Sequence, residues 1–189
     1  MIYPNAAYQY SSGDWTACEA MSYLSGAWTP WHYVLYKNGD ENIGLTGGWA
    51  ASTRAESSDS AAYTDTPILT RNASNLVMTP SGSQNYGRVA MQIVTPVDLT
   101  AMRSLTMQYD MSGSSYNDSA SILSVISPST QYWGAGSAAA SAALGSEGTN
   151  KSLTIDVSAL TGSYLVVIGV RLTGATNVSV TLKSLIAEP

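Results

Sequence analysis

The sequence predicts an all-β protein: an antiparallel two-sheet β-sandwich carrying an aromatic-rich N-terminal arm. Three observations predict it. Apolar and polar residues alternate with a period of two along much of the C-terminal half, sustained helical periodicity is nearly absent, and turn-forming residues punctuate the apolar runs. A chain of 189 residues holds one compact domain plus an appendage, and a body of about 150 residues buries roughly two-thirds of its unfolded surface, enough to do without staples. The division expected is an arm over 1–36 and a sandwich over 37–189.

The arm comes first. Residues 1–36 hold nine of the seventeen aromatics: Tyr3, Tyr8, Tyr10, Trp15, Tyr23, Trp28, Trp31, Tyr33 and Tyr36. Tyr and Trp supply large contact area at low entropic cost and are enriched at interfaces. The segment is therefore expected to attach or oligomerise, with Tyr3, Tyr8, Tyr10, Trp15, Trp28 and Trp31 as interface residues; the alternative is packing on its own sandwich. Residues 52–66 have no periodicity and read as a surface loop.

Strands are expected at 75–79, 88–94, 104–110 and 120–126. The alanine-rich run 138–144 is bracketed by Gly134, Gly136, Gly145 and Gly148 and reads as strand or loop rather than helix. In the last third, Leu153, Ile155 and Val157 alternate with Thr154 and Asp156, giving a half-buried strand. Residues 163–171 are apolar on both faces and rich in β-branched side chains, with Thr161-Gly162 as a preceding turn, so they read as a central strand. Val178, Val180 and Leu182 alternate with Ser179 and Thr181. These last three strands are expected to be neighbours in one antiparallel sheet.

Composition narrows the function. Charged residues make up 11% of the chain, the formal net charge is −5, and the eight Lys and Arg form no cluster. That pattern argues against a nucleic-acid partner and against an anionic membrane surface. Met1-Ile2-Tyr3-Pro4-Asn5 shows no basic region followed by an apolar stretch, and no run of apolar residues is long enough to span a bilayer, so neither a signal peptide nor a membrane span is expected.

Catalytic constellations are missing. The one histidine, His32, sits beside Trp31 and Tyr33 in the arm, a poor place for a triad. Asp40 and Glu41 are adjacent, so on an extended chain they point to opposite faces and cannot flank a scissile bond; they read as turn formers after Asn38-Gly39. No oxygen-ligand spacing typical of a Ca²⁺ loop is present, so no metal site is expected. Cys18, the single cysteine, has no basic neighbour and reads as a small buried hydrophobe; no intrachain disulfide is possible. Neither a cofactor nor an enzymatic activity is expected. Trp49, after Gly47-Gly48, reads as a core residue behind a tight turn. For stacking on sugar rings the candidates are Tyr116, Tyr132 and Trp133, which lie among polar or glycine residues where side chains are expected to point outward.

Tyr36-Lys37-Asn38-Gly39-Asp40-Glu41 followed by Thr46-Gly47-Gly48-Trp49 resembles the opening of the β-sandwich domains of phage and prophage structural proteins, jelly-roll modules similar to carbohydrate-binding domains. Val97-Asp98-Leu99-Thr100 leading into 105–109 is similar to a later step of the same family. So is the stretch from Ile155-Asp156-Val157-Ser158 through Thr161-Gly162-Ser163-Tyr164 to Ile168-Gly169. Many members carry a cysteine where Asn42 stands, and the arm matches no part of the family. The resemblance implies a jelly-roll-like sandwich at a virion surface, as a tail-fibre, head-fibre or decoration component made in the host cytoplasm. It also implies other virion proteins as partners and a homo-oligomer, a trimer ahead of a dimer. The alternative it implies is a module that binds bacterial cell-surface glycans.

Overall fold

The computed structural model describes residues 7–11, 14–18, 21–24, 27–30, 33–56, 66–81, 87–113, 116–173 and 178–189, with the backbone alone up to residue 30. Strands β1 (Ala7–Ser11) and β2 (Asp14–Cys18) form one antiparallel hairpin, and β3 (Met21–Leu24) and β4 (Ala27–Pro30) a second. The aromatics expected at an assembly interface, Tyr3, Tyr8, Tyr10, Trp15, Trp28 and Trp31, have side chains outside the described residues.

From Tyr33 onward the chain forms two facing antiparallel sheets, a jelly-roll-like β-sandwich. One sheet contains β5 (Tyr33–Lys37), β7 (Ile68–Arg71), β8 (Leu76–Thr79), β11 (Ser104–Ser112), β14 (Gly148–Asp156) and β16 (Ser179–Glu188). Its order is β14-β11-β16-β8-β7, and β5 also pairs with β16. The other contains β6 (Trp49–Ala51), β9 (Gly87–Ile93), β10 (Val97–Asp98), β12 (Ile122–Ile126), β13 (Ala140–Ala143) and β15 (Ser163–Leu172). It runs β13-β12-β15-β9-β6, with β10 on β15. A single helical turn, α1 (Ile43–Thr46), links β5 to β6.

Local alternation explains the strands of the first sheet. In β11, Leu105, Met107, Tyr109 and Met111 are buried while the residues between them are half-buried. The polar face pairs across strands, Thr106 with Thr154 (3.1 Å), Gln108 with Ser152 (2.9 Å) and Ser112 with Ser179 (2.8 Å). Of the residues marked by alternation in the last third, Leu153 is half-buried, while Ile155, Val157, Val166, Ile168, Val178, Val180 and Leu182 are buried.

Two expectations are corrected. Strands β14, β15 and β16 are not neighbours: β14 pairs with β11, β15 lies between β12 and β9 in the opposite sheet, and β16 returns beside β11. The reason lies in β15 itself. It is apolar on both faces and needs cover on both, which a central strand has and a member of the half-polar sheet lacks. The boundary at residue 36 also moves, because β5 belongs to the sandwich. Tyr33 pairs with Ala187 and Tyr36 with Leu185, and Tyr36 is 1% exposed. The run 138–144 contains a strand, β13, rather than a helix.

Candidate functional site

The motif from Tyr36 to Trp49 forms a corner that joins the sheets. The Glu41 carboxylate, 8% exposed, accepts the Trp49 backbone N–H (2.8 Å) and Arg71 Nε (2.5 Å), and Arg71 Nη2 donates to the Trp49 carbonyl (2.6 Å). Thr46 Oγ1 donates to the Glu41 carbonyl (2.6 Å) and accepts the Gly48 N–H (3.1 Å). Trp49 Nε1 donates to the Leu35 carbonyl (3.3 Å), burying the ring as expected for a core residue. Glu41 is thus more than a turn former: it is the buried acceptor that ties β6 to β7. Asp40 does act locally, accepting the Asn42 N–H (2.8 Å).

The aromatics proposed for sugar stacking are placed differently from expectation. Trp133 is 0% exposed, and Tyr116 is 8% exposed with its hydroxyl donating to the Gly145 carbonyl (3.1 Å). Burial pushes the Tyr116 hydroxyl pKa up, with the charges of Asp118 and Glu147 adding to it. Only Tyr132 is half-exposed. The outward orientation expected for Tyr116 and Trp133 is therefore wrong, because the glycine beside Trp133 marks close packing rather than an open loop. None of the eight aromatics with described side chains is fully exposed.

Trp133 lies on the face of the β15 sheet that carries Arg88, Gln92, Gly169 and Arg171, and this face is roofed by loops. A Cβ at Gly169 would stand 2.4 to 2.7 Å from three carbons of the indole, so only glycine lets the ring approach the strand this closely. The roof is two extended segments side by side: Ala55 N–H donates to the Gln131 carbonyl (2.9 Å) and Trp133 N–H to the Ala55 carbonyl (2.8 Å). Arg54 fastens them through the carbonyls of Thr130 and Pro128. Ser52 holds the sheet, its N–H on the Ala90 carbonyl (2.8 Å) and its hydroxyl on Gln92 Oε1 (2.7 Å).

Beside this roof opens a cavity of about 350 Å³ lined by Glu56, Ser119, Ala120, Ile122, Gly134, Ala135, Gly136 and Ser137. Ligand pockets usually start near this size. Its one ionised side chain is Glu56, whose carboxylate is 13% exposed, bonded by Arg88 Nε and 3.8 Å from Arg171 Nη1. Two guanidiniums compensate its charge and leave acceptor lone pairs for a hydroxyl-bearing ligand, with Ser137 as a further donor and acceptor and Ser119, whose hydroxyl donates to Asn117 Oδ1, as an acceptor. Sequence reasoning missed Glu56, Arg88 and Arg171 because they come from three separate stretches and form no motif. A larger open groove of about 860 Å³ runs along Thr100–Ser104, Thr154, Asp156 and Ser158. Hydrogen bonds from Ser158 hold the Asp156 carboxyl below its usual range, and those from Thr100 do the same for Asp98.

Among the described residues no group of three or more His, Cys, Asp and Glu is arranged to hold a metal ion, and no helix is long and apolar enough to cross a membrane.

No family model matches the chain, and no curated protein matches it. Among solved structures it is similar to a low-affinity xylan-binding module of family 86 from Roseburia intestinalis, at 17% identity and a TM-score of 0.40 over 74% of this chain and 92% of that one. It is likewise similar to a family 29 carbohydrate-binding module from Piromyces equi (11% identity, TM-score 0.42, 82% and 88% of the two chains). A point mutant of a family 29 module gives 13% identity and a TM-score of 0.44 over 82% and 89%. The sandwich architecture of this chain rests on its own two sheets and their registers.

Proposed function

We propose that the chain is a non-catalytic display module, a structural component of a phage virion surface that presents a β-sandwich outward and assembles as a homo-oligomer. The observation that carries this reading is the separation of two ends. The N-terminal segment enters through β5, where Tyr33 pairs with Ala187, and Arg103 N–H bonds the Glu188 carbonyl at the same end. The Ser163 end of β15 joins this end through Leu99 N–H on the Gly162 carbonyl. Arg171 and the Glu56 cavity lie toward the far end of β15, so about 25 Å of strand separates attachment from cavity. A module held at one end and open at the other suits outward display.

The test is residue-resolved labelling of intact particles. Cross-links to other virion proteins are expected from residues before Tyr33, and solvent labelling from Ser119 and Ser137. Particles that lack the chain, or that shield the cavity end while leaving the N-terminal segment accessible, would overturn it.

The cavity itself favours a second reading, a glycan ligand of the displayed end, since a compensated carboxylate flanked by hydroxyls suits a polyol. Glycan-array binding lost in Glu56→Ala and weakened in Tyr132→Ala supports it. Binding unchanged in both removes the cavity as the site.

A further inference from the structure

The N-terminal segment contains a repeat that continues into the sandwich. Tyr10, Tyr23 and Tyr36 are thirteen residues apart, and so are Gly13, Gly26 and Gly39. Trp15 and Trp28 keep the same spacing, Glu41 standing at the third position, as do Thr16 and Thr29. The backbone repeats with the sequence. Ser11 pairs with Asp14, Leu24 with Ala27 and Lys37 with Asp40, so two residues connect the strands in each copy, and Tyr10 opposes Trp15 as Tyr23 opposes Trp28. In the third copy those two residues, Asn38 and Gly39, have φ of 51° and 87°, the primed turn that suits the twist of a hairpin.

The third copy also shows how such a unit is completed. Its tyrosine strand, β5, lies antiparallel along β16 from Tyr33 to Lys37 and buries Tyr36. Strands β1 and β3 occupy the equivalent position in the first two copies, yet each belongs to a sheet of two strands. Isolated hairpins of this length are marginal in water and gain stability by adding a strand. The sandwich offers a matching edge in β7. It is the terminal strand of its sheet, four residues long like β3, and its Ile68 is 52% exposed. Among the described residues no strand pairs with its outer side, and such an edge with an exposed apolar residue is a template for strand addition.

We propose that the first two hairpins dock β1 or β3 on the β7 edge of a second copy of this chain, as β5 docks on β16 within one copy. The repeat and its register carry this independently of any place on a virion. A continuous ladder then joins neighbouring subunits, with main-chain bonds supplying the affinity.

The experiment measures mass against concentration for the full chain and two variants. Tyr8→Pro with Met21→Pro removes an outward-facing donor from β1 and β3 and spares the bonds within each hairpin, and Ile68→Lys puts a charge on the acceptor edge while leaving an exposed position exposed. The native chain is expected to self-associate and each variant to associate about tenfold more weakly or less, with the thermal unfolding of the sandwich unchanged in Ile68→Lys. A monomeric native chain overturns the proposal. So does association that survives either variant, since hairpins pairing only with each other, or docking elsewhere, would leave the Ile68→Lys chain assembled.

Discussion

Replacing Gly169 by alanine should unseat the roof over the β15 sheet. The added methyl would sit 2.4, 2.5 and 2.7 Å from Trp133 Cζ3, Cε3 and Cη2, whereas carbon atoms pack best at about 3.5–4.0 Å. The indole would have to rise by about 1 Å to restore ordinary contact. It is fully buried, and its own backbone is bonded to Ala55, so the ring cannot lift without dragging the paired loops. Overpacking usually costs about 1–3 kcal/mol, and a rigid ring held this way puts Gly169→Ala near the upper figure. Loss of all the burial of the indole, some 200 Å² at 25 cal/mol per Å², bounds the effect at about 5 kcal/mol. Urea unfolding followed by tryptophan fluorescence should show a lower midpoint at unchanged slope. Trp133→Leu in the same chain should recover part of the loss, because the two sites touch. A shift below about 0.5 kcal/mol for Gly169→Ala would refute the close contact.

The corner at Glu41 makes a graded series. Glu41→Ala strands the buried Trp49 N–H and should cost about 2–3 kcal/mol, whereas Glu41→Gln keeps an acceptor and should cost about 1. Arg71→Ala should cost less than Glu41→Ala, since the arginine side chain is 53% exposed; equal losses would contradict the assignment. At high pH the sensitive group is Tyr109, pushed from 10.0 up to about 12 by burial first and by Tyr116 second. The unfolded phenol ionises earlier, so stability is full below pH 10 and falls as pH rises to 12, by about 3 kcal/mol. Tyr109→Phe should lose about 1 kcal/mol at neutral pH, with its bond to the Leu144 carbonyl, and show a shallower alkaline decline; an unchanged decline would exclude Tyr109 as its source.

Strand identity was legible wherever one face met solvent. Leu105 to Met111 in β11 and Ile155 in β14 alternate because their sheet is polar outside, and a period of two reports that environment directly. Pairing was not legible. Residues 163–171 are apolar throughout, which marks a strand covered on both faces without naming its neighbours, and β15 turned out to take β12 and β9 rather than its sequence neighbours. The last part of β16 escaped notice because Lys183-Ser184 accompanies a shift in register and breaks the alternation near Leu182. Trp133 was misjudged for a similar reason. A glycine next to an aromatic suggests an open loop, while the decisive glycine, Gly169, lies thirty-six residues away in sequence and packs against the ring.

The motif that carried the family resemblance and the cavity that carries the ligand reading differ in how far apart their partners lie. Asn38-Gly39, Glu41, Thr46 and Trp49 sit within a dozen residues and lock into one corner, to which Arg71, Val94 and Thr95 add bonds from farther along the chain. A short pattern can therefore announce the sandwich, and what it announces is the tie between β6 and β7, held by the Glu41 carboxylate and the Thr46 hydroxyl. Glu56, Arg88 and Arg171 are joined only after β9, β15 and the segment that follows β6 have been placed, and their compensated carboxylate is the group left with lone pairs to spare. Substitutions at Ser119, Ala135 or Ser137 would therefore alter the lining of the cavity without touching the hydrogen bonds of the corner.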